Sequence, residues 1–171
     1  MALFSKNGPM LLPLKDIPEA DMGAPYPFII ASEYGLVQLY YYVAVYDLNA
    51  DGKRVDAKVN DDRDFIAEVS FENPQAHLLG GPDENSNRSH ELFDQYDATT
   101  ELYSGFELIT SNKIPQFRLS GLGMAPDGYR HFIFPFHDST FEIIAKCYTA
   151  RTLKNPSVLD AAKESLAGWS E

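Results

Sequence analysis

The chain has 171 residues, 44% hydrophobic and 23% charged, which suits one domain with a full core and argues against a disordered polymer. Its 25 acidic and 14 basic residues give a formal charge of −11 with no basic run, so nucleic-acid binding by phosphate neutralisation is not expected. One cysteine rules out an internal disulfide, and no stretch reaches the ~18 apolar residues of a membrane span or forms a signal-peptide core, so a soluble, cytoplasmic protein that does not contact membrane is expected.

Residues 1–27 carry Pro9, Pro13, Pro18, Pro25 and Pro27, each of which removes a backbone donor and fixes φ. They read as an extended N-terminal arm. Met10, Leu11, Leu12, Leu14 and Ile17 are too apolar for a free tail, so the arm should lie against the domain or a second subunit. The remaining residues, 28–171, read as one globular domain.

Phe28 to Ile30 open a short strand that ends by Gly35, and Leu36 to Leu48 is the longest strand candidate. Its odd positions, Val37, Leu39, Tyr41, Val43 and Val45, form a core row; its even positions include Tyr40, Tyr42 and Tyr46. A tyrosine row can be a binding surface, since amphipathic rings give contact area at low entropic cost, but such rows more often sit under a helix or a neighbouring strand.

Asp47, Asn49 and Asp51 match the first half of a calcium-binding loop, with Gly52 at the turn. Its twelfth position is Lys58, where a carboxylate is needed, and a strand precedes it where a helix is required. A turn joining two strands explains the same letters, and no metal is expected. Phe65, Ala67, Val69 and Phe71 form a second core row that stops at Asn73-Pro74. His77 to Leu79 is a brief strand candidate. Residues 82–91 read as a polar loop, with Ser89 able to cap a short helix. Leu102 to Leu108 is extended, with Gly105 marking a bulge or a close approach. Gln116 to Leu119 is a short extended run, and Gly121-Leu122-Gly123 lacks both the third glycine and the helix of a dinucleotide-binding turn.

The run from Tyr129 to Thr149 reads as a hairpin turning at Asp138-Ser139, with a four-residue loop over His137 to Thr140 as the alternative. Either pairing sets Phe136 against Phe141, Phe134 against Ile143, Phe132 against Ala145 and Arg130 against Cys147 on one apolar face. Cys147 would then be a buried, inert thiol. The opposite face is mixed, with Pro135 beside Glu142 and His131 beside Lys146. Asp127-Gly128 leads into this hairpin. The C-terminal helix spans 156–168, capped by Asn155, with Leu159, Ala162, Leu166 and Trp169 on the buried stripe and Gly168 at its end.

The fold class is therefore α+β, predominantly antiparallel β as a sheet, sandwich or barrel, with the C-terminal amphipathic helix packed on it. Candidates for chemistry are few. His137, Asp138 and Ser139 are adjacent, but on alternating strand positions His137 and Asp138 point apart, and Asp and Ser are ordinary turn residues. His131 and Glu142 offer a base or ligand pair that needs a third group from elsewhere. The leading expectation is a non-enzymatic, acidic module that binds a basic protein or its own copy, with no cofactor. The alternative is a small-molecule or metal-binding β-fold, with hydrolysis as one use, near His137 and Asp138.

Overall fold

The computed structural model describes residues 11–21, 23–33, 35–48, 54–56, 65–81, 104–109, 111, 128–154 and 157–168. Alternating apolar residues produce two open antiparallel sheets. The first has five strands in the order β1 (Leu11–Pro13), β8 (Phe106–Leu108), β9 (Arg130–Pro135), β10 (Thr140–Ala145), β7 (Ala76–Gly80). The second has four, in the order β11 (Cys147–Lys154), β6 (Phe65–Glu72), β3 (Leu36–Tyr42), β2 (Phe28–Ser32). A separate ribbon pairs β4 (Tyr46–Leu48) with β5 (Arg54–Asp56), so strands flank the Asn49 to Gly52 segment on both sides. That segment itself lies outside the described residues.

The two sheets face one another, and period-two alternation decides what meets between them. Val37, Leu39, Tyr41, Ala67, Val69 and Phe71 of the four-stranded sheet pack against Phe132, Phe134, Phe141 and Ile143 of the other. Phe71 is the hub: its ring lies 5.8 Å from Phe134 at 85°, 5.7 Å from Phe141 and 6.1 Å from Phe132. Edge-to-face and tilted rings satisfy the aromatic quadrupole while filling space. The architecture is an open sandwich, not a barrel.

The hairpin departs from its expected register. Thr140 pairs with Pro135, Phe141 with Phe134, Glu142 with Ile133 and Ile143 with Phe132, so the loop is Phe136 to Ser139, closed by the Phe136 amide donating to the Ser139 carbonyl at 2.7 Å. Pairings shift by two residues from those the sequence suggested. A shift of two keeps every side chain on its face, so the apolar row survives while cross-strand neighbours change. The cause is the turn: without glycine, Asp138-Ser139 cannot close a two-residue loop cheaply, and a four-residue loop one position earlier replaces it.

Cys147 is not on the hairpin's apolar face. The chain leaves the five-stranded sheet at Lys146, and Cys147 begins β11 in the other sheet, opposite Glu72. Its thiol is half-buried and donates to the Glu72 carboxylate, a contact that raises its pKa, with desolvation second. Arg130 pairs across with Ala145 and bonds the Glu107 carboxylate, its guanidinium 4.9 Å over the Phe132 ring.

The described part of the arm is integral to the sandwich. β1 pairs with β8, and Leu11, Leu14, Ile17 and Ala20 are buried. Further along, the Tyr41 hydroxyl donates to the Pro18 carbonyl and the Tyr42 amide to the Pro25 carbonyl. The long strand expected from Leu36 to Leu48 breaks at Val43 to Val45, where Val43 and Ala44 bond Phe65 and Glu19 backbones instead, and Val45 is exposed.

Helix α1 (Val158–Ala167) covers the outer face of the four-stranded sheet. Ser157, not Asn155, is its cap, its hydroxyl accepting from the Asp160 amide. The buried face is Val158, Ala161 and Ala162, set on Ile30, Tyr40 and Ile66, while Leu159 and Leu166 are exposed. Both stripes have helical spacing; the bulky sheet face beneath selects the one with small residues, which lets the helix approach closely. Under it, Gln38 Oε1 accepts from the Tyr40 and Ser165 hydroxyls, and on the same sheet face the exposed Arg151 forks onto Glu68 at 2.7 and 3.0 Å. Asn155, Trp169, the 82–91 loop, the Ser89 helix, Gln116 to Leu119, Gly121 to Gly123 and Asp127 lie outside the described residues. Gly128 adopts φ 101, as a tight turn into the hairpin requires.

Two outcomes test this packing. Gly105 passes so close to the core that a Cβ there would sit 2.7 Å from Phe134 Cε1 and 3.1 Å from Leu14 Cδ1, so Gly105→Ala should lower stability by about 1–3 kcal/mol in urea unfolding. Burial pushes the Tyr40 phenol up to about 12 and Tyr41 higher still. The folded chain keeps protons that the unfolded chain releases near pH 10, so stability should be level below that pH and fall as pH rises through 10 to 12, less steeply in Tyr40→Phe.

Candidate functional sites

Two places gather functional groups. The first is a cleft of about 610 Å³ where ends of both sheets meet the start of α1. Its walls are the Gly23 to Phe28 run, Tyr42 at the end of β3, Asp138 and Ser139 of the hairpin loop, and Ser157 to Leu159. The volume lies within the range of ordinary ligand clefts, roughly 300–1,000 Å³.

Aromatic and aliphatic groups dominate its exposed lining. Tyr26 is 61% exposed and Leu159 49%, with Phe28 also open to solvent. The Tyr26 ring meets Tyr42 edge-to-face, centroids 6.1 Å apart at 81°. Tyr26 stands between Pro25 and Pro27 and adopts φ 43, a left-handed backbone that costs a bulky residue ~1–2 kcal/mol. What holds it there is visible: Asp21 Oδ1 accepts from the Gly23 and Ala24 amides, and the Pro25 carbonyl accepts from Tyr42, pinning the run at both ends. Opposite the rings, the Asp138 carboxylate is 90% exposed and bonds the His137 Nδ1 at 2.7 Å. The four-residue loop therefore brings together two side chains that a regular strand would have pointed apart.

The second place is a hydrogen-bonded chain inside the five-stranded sheet. His131 on β9 and Glu142 on β10 lie on its outer face among Leu108, Ile133 and Ile144, and both are buried, at 1% and 7% exposure. The register shift creates their contact. Glu142 sits opposite Ile133, diagonal to His131, and its Oε2 lies 3.0 Å from His131 Nε2. The other ring nitrogen, Nδ1, lies 2.9 Å from the Ser111 hydroxyl. Nε2–H donating to the Glu142 carboxylate, with the Ser111 O–H donating to Nδ1, gives both ring nitrogens a partner of the right kind. A small hollow of about 170 Å³, lined by Ala76, Leu78, His131, Glu142 and Ile144, adjoins the pair.

The residues singled out in the sequence thus fall in three groups. His131 and Glu142 come together; Asp138 and Ser139 join Tyr42 in the cleft, with His137 beside Asp138. Tyr40 is sealed beneath α1 and presents no surface, and Tyr46 and Asp47 lie on β4. Asn49 and Asp51 lie outside the described residues. Among the described residues no three His, Cys, Asp or Glu side chains gather to hold a metal, and no helix is long and apolar enough to cross a membrane. Ser111 has no local signature in the sequence, Tyr26 was legible as an aromatic between two prolines but read as part of the arm, and Phe28 read only as the start of a strand.

Removing the carboxylate leaves the buried imidazole N–H without its acceptor, so Glu142→Ala should cost about 1–3 kcal/mol, whereas the double change His131→Leu with Glu142→Leu should cost less than the single one. Denaturant unfolding of both variants measures the difference. A double variant that is the weaker of the two would mean that the pair holds the sheet together.

A comparison of the chain with protein-family models, with curated proteins and with solved structures returned no match.

Proposed function

We propose that the protein is a binding module whose cleft receives an extended segment of a basic protein partner, an apolar side chain against Tyr26, Phe28 and Tyr42 and a Lys or Arg toward Asp138. The observation that carries this reading is the exposed Tyr26 held at φ 43 between two prolines at the lip of a concave site. Strained backbone survives where its surroundings over-determine it, and here they spend that strain on presenting a ring to solvent. Large aromatics of this kind are the anchors of protein interfaces, since they bury much area while losing little freedom.

Charge supports the same partner. A net −11 attracts cationic chains over long range, and Asp138 is the exposed carboxylate in the cleft lining. The reading also agrees with the acidic-module expectation drawn from composition.

Its test is an array of extended peptides with apolar and basic residues in varied spacing, followed by fluorescence anisotropy on the tightest binder. Tyr26→Gly relieves backbone strain while deleting the ring, so it should stay folded yet weaken binding about tenfold or more, and Asp138→Asn should flatten the salt dependence. A basic peptide held equally well by Tyr26→Gly, Tyr42→Ala and Asp138→Asn would place the binding surface elsewhere and end this proposal.

A further inference from the structure

The chain Ser111, His131, Glu142 lies apart from the cleft, none of the three lining it, and the binding reading makes no use of it. Its connectivity is that of an activated hydroxyl. The base lies within hydrogen-bond reach of the serine at 2.9 Å, and a carboxylate on the far ring nitrogen at 3.0 Å orients it. Exposure is graded in the matching sense: Ser111 is partly open to solvent, and the imidazole and carboxylate behind it are buried. The three groups also come from separate parts of the chain, the segment after β8, β9 and β10, as convergent sites do.

The geometry points to Ser111 as the nucleophile of an acyl-transfer site acting on small carboxylic esters, with His131 as its base and Glu142 as the positioning residue. Ser111 Oγ bonds to the ester carbonyl carbon, its proton passing to His131 Nδ1 and the carbonyl electron pair moving to oxygen. Collapse of that adduct breaks the bond to the alcohol oxygen, and the alcohol leaves with the proton from Nδ1. Water then adds to the acyl-serine, giving a proton to Nδ1, and collapse breaks the bond to Ser111 Oγ, which takes that proton back from Nδ1 as the carboxylic acid leaves. No electrons are gained or lost overall. Glu142 holds Nε2–H throughout and balances the charge the imidazole carries between transfers, at no reorganisation cost because it is fixed in the sheet.

A purely structural role predicts the same hydrogen bonds, since buried polar groups need partners, so the test must read reactivity. The full chain is incubated with a fluorophosphonate probe and the adduct mapped by mass spectrometry. The expected result is a single adduct on Ser111 with loss of fluoride, absent in Ser111→Ala. His131→Gln should slow labelling about 100-fold or more. Glu142→Asp, which keeps the carboxylate, should retain more of the rate than Glu142→Gln. Circular dichroism and thermal unfolding establish that each variant is folded. Folded wild-type protein that carries no adduct on Ser111, or labels as fast after His131→Gln, overturns the assignment without touching the cleft reading.

Discussion

Phe71 meets three phenylalanines of the opposite sheet, and that contact is the constraint on which the remaining structure rests. It exists because β6 and β9–β10 each place an apolar side chain inward at every second residue, and because the two rows are opposed across the sandwich. Once those rings interlock, the faces of β6, β9 and β10 are decided, and β3 follows through its pairing with β6. Tyr40 and Glu68 must then lie outward beneath the helix, and His131 and Glu142 must lie outward on the other sheet. A core of this density leaves little slack: Gly105 passes Phe134 at a distance only a glycine allows.

The polar features are consequences of that apolar frame. With the outward face of β9 and β10 itself buried, an imidazole and a carboxylate there need each other, and the diagonal spacing that the four-residue loop sets brings them to 3.0 Å. The same loop turns Asp138 and Ser139 into the cleft. One local choice, a turn without glycine, thus shapes both candidate sites. The helix contributes separately: its small-residue face lets it settle on Tyr40 and Ile66, which places its first turn at the cleft wall and leaves Leu159 exposed there.

The two proposed activities draw on different physics and stand independently. Recognition in the cleft rests on exposed aromatic area and long-range charge, terms that a partner meets on the surface. Reactivity at Ser111 rests on preorganised hydrogen bonds to a buried imidazole and carboxylate. A molecule that binds a partner through one and modifies a small ester at the other would need no communication between them.

Much of the fold was legible in the residues themselves. The Phe132, Phe134, Phe141 and Ile143 alternation, the Val37 to Tyr41 and Ala67 to Phe71 rows, the close approach at Gly105 and the presence of a C-terminal helix all follow from period and residue type, which local sterics and burial enforce. Periodicity, however, is blind to shifts of two along a strand and to which of two helical stripes meets a partner. The hairpin register was therefore set by how the loop closes, and the swap of Leu159 for Ala161 on the buried helix face and the departure of Cys147 to the second sheet were decided by long-range packing. The candidate sites depended on those same decisions. Ser111 carries no local mark, and His131 meets Glu142 only in the register that the loop selects, because the sequence specifies the face of each side chain whereas tertiary structure specifies its neighbours.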